Sequence, residues 1–199
     1  PMFTALNFGG LVIGMTAAKR DAWEIVELLR DQKKLKHIGG NIVKGTLFLG
    51  PPGCGKTYLA KAIATEAGLP FLSAVGSEFV GMIIGLGAAK MKELFKTARK
   101  LASIEGGCII FIDEIDSFGR PRQEEHGFGG ATSNNATINQ FLTELDGLRK
   151  KENNIIVMAA TNVDEDNLDG AIMRSGRFDR KIRVEKPSTA ERVELLKYY

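Results

Sequence analysis

The stretch from Gly50 to Thr57 carries the clearest chemical signal in the sequence. It reads Gly-Pro-Pro-Gly-Cys-Gly-Lys-Thr and fits the phosphate-binding pattern G-x-x-x-x-G-K-[ST]. An apolar run at 46–49 precedes it and predicts a short buried strand, and a helical pattern follows from Lys56 to Ala67. Because strand, glycine-rich loop and helix form the context that this motif requires, we interpret the stretch as a loop that binds phosphate groups.

The residue types in this loop match the chemistry of a phosphate. Glycines let backbone N–H groups turn toward an anion, and the start of a helix adds unpaired amides and partial positive charge. Lys56 is expected to reach the β- and γ-phosphates, and the Thr57 hydroxyl to ligate Mg²⁺. The alternative is a Gly/Pro turn that contains Lys-Thr by chance. The expected nucleotide contacts of this region are Pro52, Gly53, Cys54, Gly55, Lys56, Thr57 and Tyr58.

An acidic pair, Asp113-Glu114, directly follows the apolar run at 108–112. Asp113 is expected to hold Mg²⁺, and Glu114 to polarise the attacking water as a general base. Asn162 follows a further apolar run in the same way, and its amide could orient water near a γ-phosphate. The alternatives are an acidic pair that ends a strand in solvent and an asparagine in an ordinary turn.

The elements that must position these residues alternate between strands and helices. The predicted strands are 46–49, 70–75, 108–112, 155–160 and 181–184, and the predicted helices are 16–30, 56–67, 88–105, 136–148 and one after a capping box formed by Ser188 and Glu191. Loops are expected at 76–87, 120–132 and 150–154. This alternation predicts an α/β domain with a mainly parallel sheet, in which Lys56, Asp113 and Asn162 reach the same edge.

Composition excludes several classes of protein. The chain has 199 residues, of which 44% are hydrophobic, and can bury a full core. A net charge of +3 without a long Lys/Arg run does not indicate nucleic-acid binding. The two cysteines, Cys54 and Cys108, form no disulfide framework, so we expect reduced thiols and an intracellular location. No run approaches membrane-spanning length, and His37 and His126 are expected in solvated loops rather than as metal ligands.

The stretch from Leu168 to Arg180 completes a set of motifs that resembles the AAA ATPase family. The set comprises GPPGCGKT, IIFIDEID, AATN and R-x-G-R-F-D-R, in this order along the chain. Within that family the sequence looks most like the FtsH type of membrane-anchored AAA protease. The features that carry this closer resemblance are Gly39-Gly40, Lys44-Gly45, Gly76-Ser77-Glu78-Phe79-Val80, Asn139-Gln140 and Leu145-Asp146-Gly147.

The resemblance implies a Mg²⁺-dependent ATPase that binds ATP or ADP and assembles as a ring, usually a homo- or hetero-hexamer, which pulls polypeptide through a central pore. It implies a three-layer P-loop fold with a five-stranded, mainly parallel sheet between helices. Residues 1–199 are then the large α/β domain of the AAA module, ending before the helical lid. Membrane attachment would come only through flanking segments, with this domain on the cytosolic, matrix or stromal side.

The resemblance also assigns roles to individual residues. Arg174 and Arg177 match arginine fingers that enter the ATP site of a neighbouring subunit, whereas surface ion pairing is the alternative for both and for Arg180. Ile13 and Gly14 match the segment that packs on adenine, with core packing as the alternative. The expected polypeptide-gripping residues of the pore loop are Met82, Ile83 and Ile84, with burial of Ile83 against its own domain as the alternative.

Three places differ from the FtsH pattern. Ile83 stands where that pattern has an aromatic, Leu148 replaces the Phe that ends the intersubunit signalling motif, and Ser133-Asn134-Asn135 replaces charged residues. No His-Glu-x-x-His zinc signature occurs, so the resemblance implies no peptidase site in this chain. Two other functions stay open: a ring scaffold that binds ATP but grips substrate weakly, and a different phosphate-loop enzyme such as a small-molecule kinase or helicase.

Overall fold

The computed structural model describes residues 12–30, 45–81, 85–120, 130–150 and 154–198. The candidate pore residues Met82, Ile83 and Ile84, together with His37 and His126, lie outside these ranges. The described helices are α1 (Thr16–Arg30), α2 (Lys56–Ala67), α3 (Leu86–Glu105), α4 (Gly130–Lys150) and α5 (Thr189–Tyr198). The described strands are β1 (Gly45–Leu49), β2 (Phe71–Val75), β3 (Cys108–Asp113), β4 (Ile155–Thr161) and β5 (Arg180–Arg183).

Within the described ranges, the strands form one five-stranded sheet in the order β2-β3-β4-β1-β5. Every neighbouring pair in this sheet is parallel. The predicted α/β class and its parallel sheet are therefore confirmed. Because parallel strands all end at the same edge, the segments after β1, β3 and β4 come together there.

Helices cover both faces of the sheet, and β3 shows how the sequence produces this arrangement. Cys108, Ile110 and Ile112 pack in one buried cluster with apolar residues of α3 and α4. Ile109 and Phe111 point to the opposite face and pack with apolar residues of α1 and α2. A strand that is buried on both faces reads as a continuous apolar run, as β3 does. The three-layer architecture follows from this alternation.

Helix α2, which follows the phosphate loop, has the predicted bounds at both ends. Gly55 precedes it with φ +88°, a left-handed conformation that residues with a Cβ rarely adopt. Gly68 ends it, also left-handed, and its backbone N–H donates to carbonyls of the last turn. The glycine positions in the sequence therefore fix where this helix starts and stops.

Two helices begin earlier than the sequence indicated. Helix α3 begins at Leu86 rather than at 88, after Gly85 with φ +85°. Helix α4 spans Gly130–Lys150, so the predicted loop at 120–132 and the predicted turn at 150–154 were each partly wrong. Gly, Ser and Asn have weak helix preference, but a helix that is already formed extends at the gain of one hydrogen bond per residue. The predicted loop at 76–87 contains a 3₁₀ turn, Gly76–Phe79.

The capping box at the start of α5 is confirmed. The backbone N–H of Ser188 donates to Glu191 Oε2 at 2.8 Å, and that of Glu191 donates to Ser188 Oγ at 3.3 Å. Leu148, the residue of α4 that departs from the signalling pattern, is 1% exposed and belongs to the buried cluster that α4 shares with α3. None of the helices in the described ranges is long and apolar enough to span a membrane.

Candidate active site

The side chain of Lys56 lies at the centre of the carboxyl edge of the sheet. Its Nζ donates to the carbonyl oxygens of Gly50 at 2.6 Å and Pro51 at 2.9 Å. A third contact, 2.7 Å long, joins Nζ to Oδ1 of Asn162 at the end of β4. Burial lowers the pKa of Lys56, and the nearby Asp113 carboxylate opposes that shift. The lysine is 6% exposed, and it is held by carbonyls of the loop on one side and by Asn162 on the other.

Thr57 and Asp113 meet directly across the same edge. The Thr57 hydroxyl donates to Asp113 Oδ2 at 2.6 Å, and the Glu114 N–H donates to Asp113 Oδ1 at 3.0 Å. A hydroxyl and a carboxylate are hard oxygen donors of the kind that Mg²⁺ prefers. These two residues, contributed by α2 and the end of β3, have the chemistry to hold Mg²⁺ beside the phosphate loop.

Glu114 follows β3 in an unusual backbone conformation. Its φ is +52°, in the left-handed region, and its side chain is exposed. The carbonyl of Glu114 lies directly over Gly76, where an added Cβ would stand 2.2 Å from its oxygen. Non-glycine residues in this region cost about 1–3 kcal/mol and cluster at functional sites. The fold therefore turns the Glu114 carboxylate away from the strand and into solvent at the site.

A second hydrogen bond ties the Asn162 strand to the acidic turn. The hydroxyl of Thr161, the last residue of β4, donates to Asp116 Oδ1 at 2.8 Å. The hydroxyl oxygen of Thr161 also accepts the N–H of Val163 at 3.2 Å. Thr161 is fully buried, so this contact fixes how far Asn162 stands from Glu114 and Lys56.

A cavity of about 780 Å³ lies beside the phosphate loop. Ile13, one of the predicted adenine contacts, lines it from one side, and Gly53, Cys54, Gly55 and Tyr58 line it from the loop and α2. Gly14 does not line the cavity, but its φ of +70° bends the chain there. Among the predicted nucleotide contacts, Pro52 is exposed at the outer turn of the loop. The cavity is large and apolar enough to hold a purine base.

The two candidate arginine fingers have different surroundings. Arg174 is exposed, and its side chain makes no hydrogen bond or ion pair with the described residues. Its backbone carbonyl accepts the N–H of Arg177 at 3.2 Å. Arg177 is held within its own chain: its Nε and one terminal nitrogen donate to both Asp146 oxygens, at 3.1 and 2.9 Å, and the other nitrogen donates to the carbonyl of Ala171. Within the chain Arg177 therefore makes an ion pair, as does Arg180, which pairs with Glu24. The finger roles of Arg174 and Arg177 stay predictions.

Several residues that complete the site were not found from the sequence. Asp116, Thr161 and Gly76 support Glu114 and Asn162, and Asp146 holds Arg177. Asp116 lies within the IIFIDEID motif, so its place in a motif was the available signal. For Gly76 and Asp146 the signal was again motif membership alone, because nothing local indicates what each residue touches.

Both cysteines are free and buried. Burial raises the pKa of the Cys108 thiol to about 11, so this residue is a protonated core side chain at neutral pH. Cys54 lies in the phosphate loop, with its Sγ 3.9 Å from the Pro52 carbonyl oxygen.

Comparison with known proteins identifies relatives of the whole described core. The sequence profile of the family described as ATPase family associated with various cellular activities (AAA) matches residues 46–186. This range includes the phosphate loop, the acidic pair, Asn162 and both candidate fingers. Of the predicted site residues, Ile13 and Gly14 lie before this range.

Individual proteins of high similarity are ATP-dependent zinc metalloproteases. FtsH of Thermobaculum terrenum is 47% identical over 188 residues, which is 94% of this chain and 28% of that protein. FtsH of Rhodothermus marinus is 48% identical over 94% of this chain and 26% of its own length. The chloroplastic FTSH 2 of Oryza sativa subsp. japonica is 48% identical over 94% of this chain and 27% of its own. The chain spans just over a quarter of the length of these relatives.

Proposed function

Because the chain belongs to the AAA family of ATPases, we propose that its phosphate loop binds Mg²⁺·ATP and that Glu114 activates water to attack the γ-phosphate. The observation that carries this proposal is that two hydrogen-bonded pairs of side chains meet at one edge of the sheet. Lys56 lies 2.7 Å from Asn162 and Thr57 lies 2.6 Å from Asp113. Three parallel strands, β1, β3 and β4, supply these groups, and they are neighbours in the sheet.

Each group has one task in the proposed reaction. The loop amides and the Lys56 ammonium bind the phosphate oxygens, and Asn162, already bonded to Lys56, orients water near the γ-phosphate. Thr57 and Asp113 would hold Mg²⁺, which supplies charge neutralisation when bound. Glu114 takes a proton from the attacking water. Its exposed carboxylate and left-handed backbone support that role.

The proposed context is a ring in which this domain is the motor that moves polypeptide. Relatives at 47–48% identity are ATP-dependent zinc metalloproteases, and the chain corresponds to just over a quarter of their length. We propose homo- or hetero-hexamers in which the exposed Arg174 enters the site of a neighbour. Arg177 stabilises the segment that presents it.

We also propose that the protein is intracellular, with any membrane attachment made by segments flanking this domain. The two free cysteines support a reducing compartment. One of the relatives is a chloroplastic protein, so that protein is intracellular.

The test of this function is Glu114→Gln. The amide keeps the size and polarity of the side chain but cannot accept the proton, so we expect ATP hydrolysis to fall by about 100-fold or more. Binding of Mg²⁺·ATP should remain within about twofold, because in the proposed reaction Glu114 acts on the attacking water rather than on the phosphates. Steady-state ATPase assays and isothermal titration calorimetry measure the two quantities.

The matched control is Glu105→Gln, which changes an exposed glutamate at the far end of α3. It should leave both hydrolysis and binding unchanged. A Glu114→Gln protein that hydrolyses ATP at the normal rate would remove Glu114 as the base. Loss of binding in the same variant would mean that the acidic turn holds the nucleotide instead.

A further inference from the structure

The segment from Val12 to Thr16 forms one wall of the cavity beside the phosphate loop. Two consecutive residues in it have left-handed backbone, Gly14 with φ +70° and Met15 with φ +54°. Such a conformation is strained for methionine and persists only where surrounding contacts impose it. The contacts that hold this segment therefore decide the shape of the cavity.

One of these contacts is with the phosphate loop. The Met15 side chain lies against Gly55, so closely that a Cβ added to Gly55 would stand 2.4 Å from Met15 Cε. Gly55 is the glycine immediately before Lys56. The Val12–Thr16 segment thus packs against the phosphate loop through the flexible apolar side chain of Met15.

The other contact is with α5, through the carboxylate of Glu191. Its Oε2 accepts the N–H of Ser188 at 2.8 Å and its Oε1 accepts the N–H of Thr16 at 3.3 Å. Ser188 immediately precedes α5 and Thr16 is the first residue of α1, so one carboxylate serves the amino ends of two helices. The Glu191 side chain also packs against Gly14, where an added Cβ would stand 3.1 Å from Glu191 Cβ.

We propose that Glu191 is a positioning residue for nucleotide binding, which holds the Ile13–Met15 wall in place against the base. The inference rests on the proposed function, because it takes the cavity beside the phosphate loop as the site of the base. Glu191 lines the cavity together with Ile13 and Met15. It needs no bond to the nucleotide, since it acts through the segment that it holds.

The electrostatics of the two helix ends agree with this role. Partial positive charge at the amino end of a helix stabilises a nearby anion, and Glu191 faces two such ends. Its hydrogen bonds with Ser188, followed by those with Thr16 and Met15, lower the pKa of Glu191 in spite of partial burial. The carboxylate is therefore ionised at neutral pH, and it accepts the N–H groups of Ser188 and Thr16 in the charged form.

The experiment compares ADP with inorganic pyrophosphate, each with Mg²⁺, by isothermal titration calorimetry. Pyrophosphate occupies the phosphate loop but has no base, so it reports on the loop alone. In Glu191→Ala the affinity for ADP should fall about tenfold, as expected when a charge-assisted hydrogen bond that orders a binding segment is lost. The affinity for pyrophosphate should stay within about twofold, so the ratio of the two affinities is the readout.

Two control variants separate this role from charge and from helix capping. Glu194→Gln changes a carboxylate on the same helix. Burial lowers the pKa of Lys19, and the charges of Glu194 and Glu191 both oppose that shift, so the two glutamates share this neighbour. Ser188→Ala removes the hydroxyl half of the α5 capping box but leaves Glu191 bonded to Thr16. Both variants should keep the ADP-to-pyrophosphate ratio of the unaltered protein.

The possible outcomes are distinguishable. If the unaltered protein binds neither ADP nor pyrophosphate, the proposed function fails and this inference fails with it. If it binds both but ADP no better than pyrophosphate, the cavity is not the base site and only this inference fails. If it prefers ADP and Glu191→Ala keeps that preference, only the positioning role is overturned. An equal loss for both ligands would make Glu191 purely structural. Should Glu191→Ala not fold, Glu191→Gln carries the test, with an expected several-fold loss of ADP affinity alone.

Discussion

Arg174 and Arg177 lie three positions apart and differ in what holds them. The Arg177 side chain is 13% exposed and donates to both oxygens of Asp146, whose own side chain is 45% exposed. Its third contact, with the carbonyl of Ala171, joins the two ends of the short segment that contains Arg174. At the scale of the residue, Arg177 stabilises the segment and Arg174 is the one that projects into solvent.

This difference predicts a difference in stability. Arg177→Ala should lower the free energy of unfolding by about 1–2 kcal/mol, because it breaks charged hydrogen bonds that are only partly screened by solvent. Arg174→Ala should change it by less than about 0.5 kcal/mol, as is usual for exposed side chains. Urea denaturation of the monomeric domain measures both. Equal stability of the two variants would contradict the assignment of Arg177.

At the scale of the element, the acidic turn after β3 is built against the turn after β2. Gly76 begins the 3₁₀ turn Gly76–Phe79, and only the lack of a Cβ lets the Glu114 carbonyl approach it. The rings of Phe79 and Phe118 then meet edge-on, with centroids 5.8 Å apart. The chain leading toward the candidate pore residues at 82–84 is thus packed on the turn that carries the proposed general base.

Gly76→Ala should therefore impair hydrolysis more than binding. The new Cβ would stand 2.2 Å from the Glu114 oxygen and 3.3 Å from that of Asp113, so the turn must shift. We expect the catalytic rate to fall about tenfold or more while Mg²⁺·ATP affinity changes little, because displacement of a catalytic group acts mainly on kcat.

The control for this element is Gly170→Ala, since an added Cβ at Gly170 would meet nothing within 4 Å. Steady-state kinetics and calorimetry should find it unchanged in both kcat and affinity. If Gly76→Ala weakened ATP binding as strongly as it slowed hydrolysis, the turn would be supporting the whole domain rather than placing Glu114.

At the scale of the whole molecule, the proposed function assigns one group of the site, Arg174, to a neighbouring subunit. Lys56, Thr57, Asp113 and Asn162 converge, but Arg174 lies exposed on a segment that packs behind the acidic turn: the N–H of Asp169 donates to the carbonyl of Gly119 at 2.7 Å. An arginine that stabilises the transferring phosphoryl group contributes roughly 10³–10⁵ in rate. We therefore expect activity to depend on neighbouring subunits.

Mixing two inactive variants tests this dependence. Arg174→Ala lacks the finger and Lys56→Ala lacks the phosphate contact, so each should have little activity alone. In a mixed ring, a Lys56→Ala subunit can donate Arg174 to an intact phosphate loop of its neighbour, and part of the activity should return. The ATPase rate of the mixture, measured at a subunit concentration where light scattering finds rings, is the readout. Activity that never exceeds that of the separate variants would argue against a finger supplied in trans.

The sequence by itself determined the phosphate loop, the bounds of α2 and the apolar strands whose ends carry Asp113 and Asn162. These features depend on local spacing: glycines with left-handed backbone set the ends of α2, and continuous apolar runs identify strands buried on both faces. Parallel connection then brings the strand ends to one edge, so the four groups of the proposed site could be predicted together.

Only the tertiary structure decided how the site is supported. Glu191 bonds Thr16 across 175 positions of sequence, and Arg177 bonds Asp146 across 31. Whether an arginine side chain projects into solvent or pairs within the chain, and whether a capping glutamate also bonds a second helix, depends on which distant segment packs against it. Periodicity and motif spacing depend only on neighbours along the chain. They therefore do not predict contacts between distant segments, which form only when the layers pack together.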